Sequence, residues 1–269
     1  MSPTIHKNTL LESFAKDQVN VSLGVKILKG VEIVHIAKSA GYDSLFVDLE
    51  HSTLTIKDAG QICIAALSAG VSPFIRVPHE CGDGMIQKAL DAGAMGVVVP
   101  HIDTVEQAQK AISITKFPPL GGRSITGALP QFDMAPIPPT ITGPLLDQSG
   151  SVVALIIESG LGADNADAIA NLPGADILVI GCYDLASNIG TLGEWDHPKF
   201  LCCLEKVAKA CKKHDKHWGF GGLEHRPDLM DICVNEWGAR WILGQQDFGL
   251  LLKAGRENSQ MLKMIQKTK

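Results

Sequence analysis

Ser151-Val-Val-Ala-Leu-Ile-Ile-Glu158 and Ala175-Asp-Ile-Leu-Val-Ile-Gly-Cys-Tyr-Asp184 decide the fold. Each is a short apolar run, rich in β-branched residues, that leads into a carboxylate. Runs of this kind suit strands buried on both faces. Between them, 163–172 carries a helical pattern that Pro173-Gly174 stops. Strand, helix, strand is one βαβ unit, so the two strands are expected to run parallel. Neighbouring strands lie about 4.8 Å apart. Two carboxylates at adjacent strand tips repel unless something positive lies between them. A divalent cation that prefers oxygen ligands is the leading candidate, and a lysine or arginine partner is the alternative.

The same alternation extends in both directions. Strand-like runs fall at 19–25, 44–48, 73–77, 96–100, 151–157, 176–181, 217–221 and 240–244. Helical patterns fall at 31–39, 56–69, 84–92, 104–115, 163–172, 198–214, 227–237 and 248–265. Gly41, Gly70, Gly93, Gly174 and Gly238 stand where helix caps are expected ahead of strands. This pattern predicts an α/β fold, a single (β/α)8 TIM barrel spanning residues 1–269 as one domain. A doubly wound open sheet would show a phosphate turn after its first strand, and Gly24-Val-Lys-Ile-Leu-Lys-Gly30 is not one. One connection breaks the rhythm. Residues 116–150 are rich in proline and glycine and fall between the fourth helix and the fifth strand. That position is opposite a barrel's active face unless part of the segment reaches the mouth.

Composition excludes several classes. With 45% apolar residues the chain can bury a full core, and its net charge of −5 comes from interspersed acids and bases. No basic block points to nucleic acid. No apolar run reaches the roughly 18 residues of a membrane helix, and the first residues carry no signal-peptide core. Seven cysteines without framework spacing fit reduced thiols and a cytoplasmic location.

In a barrel, residues just past each strand face the active-site mouth. Those positions are Lys26, Asp48 to His51, Arg76, His101, Glu158, Asp184, Gly221-Gly222 and Gln245-Gln246. Arg76 on a buried strand needs an acceptor, either a substrate oxygen or a structural ion-pair partner. Asp48 and His51 could form a carboxylate–imidazole dyad, or His51 could be an ordinary loop histidine. His101 is either catalytic or a hydrogen-bonded rim residue. Gly121-Gly122-Arg123 could wrap an anion with backbone N–H groups, or form a plain turn. Lys26 could serve as a Schiff-base lysine or simply be a solvated cation.

Several stretches together resemble one family: Phe46-Val-Asp-Leu-Glu-His51, Pro73-Phe-Ile-Arg-Val-Pro78, 89–101 ending in Val-Val-Val-Pro-His101, Phe117-Pro-Pro-Leu-Gly-Gly-Arg123, Ile157-Glu158 and Ile180-Gly-Cys-Tyr-Asp-Leu185. They resemble the HpcH/HpaI aldolases, metal-dependent pyruvate aldolases of the phosphoenolpyruvate/pyruvate barrel superfamily. The resemblance implies that Glu158 and Asp184 hold Mg²⁺ or Mn²⁺. It implies that Arg76 contacts the ketone oxygen and that Asp48 and His51 transfer protons. The backbone of Gly181, Cys182 and Tyr183, running into Asp184, would take the pyruvate carboxylate. Arg123 would join the substrate site. His101 and Arg76 also resemble macrophomate synthase, a relative that decarboxylates oxaloacetate and captures the enolate.

Three departures bear on the acceptor. Ile156-Ile157-Glu158 replaces the family's usual Gln-x-Glu, Gly181-Cys-Tyr-Asp-Leu185 replaces Gly-Pro-x-Asp-Leu, and Gly121-Gly122-Arg123-Ser124 replaces a Gly-x-Arg-Gly turn. The expected activity is a metal-dependent carbon–carbon lyase working through a pyruvate enolate. It would cleave or form 4-hydroxy-2-oxoacids and decarboxylate oxaloacetate. The alternatives are a citryl-type CoA ester lyase drawing on Lys206, Lys209, Lys212, Lys213 and Lys216, a macrophomate-synthase-like enzyme of secondary metabolism, or a non-catalytic binder of a metal–2-oxoacid complex. The helix at 248–265 carries Leu250, Leu251, Leu252, Met261, Leu262, Met264 and Ile265, more apolar surface than one barrel needs. With the resemblance this implies a homo-oligomer, trimer or hexamer, whose subunits exchange the last helix. A helix packed on its own barrel is the alternative.

Overall fold

Eight short apolar runs become eight strands because each buries both faces. The inner face points into a barrel and the outer face lies under helices. The computed structural model describes residues 5–265. Its strands are β1 (Asn20–Val25), β2 (Ser44–Asp48), β3 (Ser72–Arg76), β4 (Gly96–Val99), β5 (Val152–Ile157), β6 (Ile177–Gly181), β7 (His217–Gly221) and β8 (Trp241–Gln246). They close in sequence order into an all-parallel barrel, β8 pairing back to β1. The helices are α1 (Thr9–Ala15), α2 (Glu32–Ser39), α3 (Ile56–Ala69), α4 (Asp83–Asp91), α5 (Val105–Thr115), α6 (Pro139–Leu145), α7 (Gly160–Asp164), α8 (Ala166–Ala170), α9 (Cys182–Asn188), α10 (Pro198–Lys213), α11 (Pro227–Asp231) and α12 (Asp247–Ile265). The (β/α)8 expectation holds.

Phe46, Phe74, Val98, Ala154, Ile156, Val179 and Trp241 fill the interior. Alternate residues such as Val47, Ile75, Leu155 and Ile180 pack outward against helices. α1, which the strand–helix rhythm did not reveal, plugs the underside. Asn8 caps it by accepting from the N–H groups of Leu10 and Leu11. Leu10 and Phe14 then join the interior cluster of Phe74 and Trp241.

The segment 116–150 is anchored on that same underside. The Gln131 side-chain amide donates to the carbonyls of Leu90 and Ala94, just ahead of β4, at 2.7 and 2.9 Å. The Phe117 N–H donates to the Asp147 carboxylate at 3.1 Å. Two expected helices differ in detail. The 163–172 pattern is divided at Asn165 into α7 and α8, and 227–237 relaxes after α11 into a π turn over Ile232–Glu236.

α12 begins tightly held and then leaves the barrel. Asp247 is buried, yet every described side chain from Leu251 to Ile265 is exposed. Its start rests on its own barrel, where Leu250 packs against the outer core, and the turns beyond stand exposed. No helix among the described residues is long and apolar enough to cross a membrane. All seven cysteines are free thiols.

Candidate active site

The C-terminal strand tips surround a cavity of about 400 Å³. It is lined by Lys26 past β1, His51 past β2, Arg76 ending β3, Glu158 past β5, residues 181–184 at the β6–α9 junction, and Glu224 and Gln245–Gln246 from the last two strands. Ile156 and Val179 form its floor.

Strand register builds the cationic side. Asp48 and Arg76 are direct partners across β2 and β3, so their side chains leave the sheet on one face. The guanidinium donates from Nε to Asp48 Oδ1 at 3.0 Å and from Nη2 to Oδ2 at 2.6 Å, a two-bond fork. Arg76 Nη1 lies 3.2 Å from Glu50 Oε2. Burial works against charge on Arg76, but Asp48, Glu50 and Glu158 outweigh it and hold the guanidinium protonated. Burial likewise pushes the Asp48 carboxyl up. The Arg76 bonds and charge, with the N–H groups of His51 and Glu50, override that and hold it below the usual carboxylate range.

The anionic side is built around Glu158. It is buried, and its Oε1 accepts the His101 N–H at 2.7 Å. His101 Nδ1 lies 3.1 Å from the same oxygen. His101 achieves this in a left-handed conformation, φ 54°, a strain found mostly where surroundings enforce it. Burial pushes the Glu158 carboxyl above the usual range. The His101 N–H opposes the shift, and the nearby charges of Asp184 and Glu50 add to it. Asp184 is not on a strand tip. It stands exposed in the first turn of α9, which starts directly at Cys182 with no intervening loop. Gly181 lets the backbone approach Glu158 closely: a Cβ there would fall 2.8 Å from Glu158 Oε2 and displace that carboxylate.

Three expected roles change in detail. Asp48 bonds the backbone N–H of His51 at 3.1 Å, not its ring. Its side chain is taken by Arg76, so the dyad does not form. The His51 ring is exposed, with Glu50 as carboxylate neighbour at 3.9 Å, beyond hydrogen-bond reach. Arg123 is not at the mouth. It is buried on the underside, donating to Asp91 at 2.8 Å and lying 4.9 Å over the Phe117 ring. Cys182 contributes backbone only, because its thiol is buried and pushed far above its ordinary value by that burial. Tyr183 stands on the rim, edge-on to Trp195 at 5.1 Å.

Glu50 is the residue that sequence reasoning passed over. It contacts Arg76, His51 and His101 and accepts the His79 N–H at 3.1 Å. Its signal was two acids flanking Leu49, which loop geometry alone could aim inward.

Glu158 and Asp184 could hold a divalent ion. Both offer oxygen, and Glu158 is a buried carboxylate that neighbouring negative charge disfavours, so a cation relieves it. Among the described residues no group of three or more His, Cys, Asp or Glu forms a cage. A two-carboxylate site suits Mg²⁺, which commonly keeps positions for water and substrate.

Fold and site together define an all-parallel barrel whose mouth carries two carboxylates and a paired arginine in one cavity. The chain belongs to the HpcH/HpaI aldolase/citrate lyase family, whose pattern matches residues 28–219. It is therefore an enzyme of the aldolase, carbon–carbon lyase class. The 4-hydroxy-4-methyl-2-oxoglutarate aldolase tasA of Hapsidospora irregularis is 38% identical over 261 residues, 97% of each chain. The crystal structure of an HpcH/HpaI aldolase from Desulfitobacterium hafniense DCB-2 superposes with a TM-score of 0.87 at 25% identity, covering 95% of this chain and 97% of that one. Macrophomate synthase superposes with a TM-score of 0.78 at 25% identity, covering 97% and 90%.

Proposed function

We propose that the protein cleaves and forms 4-hydroxy-2-oxoacids through a pyruvate enolate, using Mg²⁺ or Mn²⁺ held by Glu158 and Asp184. The observation that carries this reading is one cavity lined both by those carboxylates and by Arg76. The similar tasA enzyme is a 4-hydroxy-4-methyl-2-oxoglutarate aldolase, which points to the same substrate class.

The divalent ion, when bound, supplies Lewis acidity toward the 2-oxo group. Arg76 donates to the ketone oxygen with N–H groups that Asp48 and Glu50 leave over. When the C3–C4 bond breaks, its electron pair moves toward C2 and charge collects on that oxygen, where the N–H groups of a guanidinium fixed beforehand would stabilise it. Asp48 and Glu50 hold Arg76 in place. The N–H groups of 181–184 receive the substrate carboxylate, since no side chain caps that turn of α9. His51, exposed to the cavity, takes the proton of the C4 hydroxyl, directly or through water. His101 positions Glu158 through its N–H and ring.

Decarboxylation of oxaloacetate needs the same enolate and no base. His51→Ala is therefore expected to lose aldol cleavage while keeping oxaloacetate decarboxylation, both read by coupled pyruvate detection. Loss of neither would remove His51 from the reaction. The lysine face that a CoA-ester reading would use is largely paired: Lys206 with Asp164, Lys209 with Glu205 and Lys213 with Asp167. The exposed apolar residues of α12 support a homo-oligomer, trimer or hexamer, in which this helix covers a neighbouring subunit. Sedimentation tests it, and a monomer would contradict it.

A further inference from the structure

Two cations line the cavity, and they are used differently. Arg76 is bonded by Asp48 and approached by Glu50. Lys26 is half-buried and has no ion-pair partner among the described residues. Its ammonium lies 5.9 Å from the centre of the Phe248 ring. Asp247, the first residue of α12, reaches the β1 tip but is committed to main-chain groups. Its carboxylate accepts the N–H groups of Lys26, Ile27, Leu28 and Phe248 at 2.8–3.3 Å. That cradle fixes the β1 tip and the start of α12 through main-chain bonds, so the lysine's position does not depend on its side chain. Glu224, also on the cavity wall, makes no ion pair with it within 4 Å.

A half-buried ammonium that lines a ligand cavity and makes no ion pair among the described residues can bond a negative group of the ligand. β1 lies across the barrel from β5, the strand that ends at Glu158. A substrate held by its 2-oxoacid head at β5 and β6 would extend over Ile156 and Val179 toward β1. We propose that Lys26 anchors the distal carboxylate of a dicarboxylic 4-hydroxy-2-oxoacid and so sets substrate choice. This rests on the 2-oxoacid reading above. Lys26 thereby acts as a salt-bridge donor with no covalent role, distinct from the Schiff-base alternative.

The test is calorimetric titration of the full-length protein with Mn²⁺ present, comparing 2-oxoglutarate with 2-oxopentanoate. Both share head and chain length, neither has a 4-hydroxyl to cleave, and only the first carries a distal charge. The native protein is expected to prefer 2-oxoglutarate by about tenfold to a hundredfold, the range for a hydrogen bond to a charged group. K26M should bring the two affinities together by weakening 2-oxoglutarate alone, and K26R should keep most of the preference. Equal native affinities, an unchanged preference in K26M, or loss of both ligands in K26M would overturn the assignment. If neither 2-oxoacid binds the native protein, the underlying functional reading fails and takes this one with it.

Discussion

Arg76, half-buried, and Arg123, fully buried, are both paired with an aspartate and both laid on a phenylalanine ring, yet they stand at opposite ends of the barrel. Arg76 is bonded twice by Asp48 and lines the mouth cavity. Arg123 makes one bond to Asp91, and its Nε and Nη1 are buried without a partner among the described residues. Their ionisation follows. The carboxylates around Arg76 overcome burial and raise its pKa, whereas burial of Arg123 prevails over Asp91 and Asp147 and lowers it. The same residue type is a preorganised donor in one place and a structural cross-link in the other. What separates them is the number of fixed acceptors and whether an open cavity adjoins.

The two arginines should respond differently to substitution. Arg76→Ala removes a donor from the oxygen where charge develops and should lower kcat on the order of 10²–10³-fold. An unchanged kcat would place Arg76 with Arg123 as a structural residue. Asp48→Asn breaks a buried pair and should cost about 3 kcal/mol in urea unfolding at neutral pH. It should also alter acid sensitivity. The Asp48 carboxyl is depressed in the fold, so its stabilisation is fully present above the unfolded value near about 3.9 and fades as pH falls through the lower folded value. The native protein should therefore lose stability below about pH 4, with a shallower acid limb in Asp48→Asn; parallel limbs would contradict this. Arg123→Met exchanges two unpartnered nitrogens for an apolar chain and leaves Asp91 partly solvated. It should shift stability by at most about 2 kcal/mol and leave kcat within about twofold.

The barrel was legible because burial on both strand faces and glycine-terminated helices leave strong local marks. β2, α3 and β7 coincide with the predicted runs, and Gly70 closes α3 at φ 75°. α1 was not legible: seven residues give too little periodicity, and its plug role depends on Phe74 and Trp241, far away in sequence. In the site, the strand-tip rule pointed to Arg76, Glu158 and Asp184, all of which line one cavity. It did not reveal partner choice. Asp48 is three residues from His51, but register sets it opposite Arg76, and a two-bond fork outcompetes an imidazole. Gly121-Gly122-Arg123 reads like an anion loop at any barrel end, and only the contacts of Gln131 and Asp91 show which end it occupies.

A divalent ion held by Glu158 and Asp184 should be indispensable to enolate formation. The measurement is deuterium exchange into the pyruvate methyl group, followed by NMR with and without Mn²⁺ in the native protein and in Glu158→Gln. Exchange should need Mn²⁺ and disappear in Glu158→Gln. Exchange that persists after chelation, or that survives in the variant, would contradict that requirement.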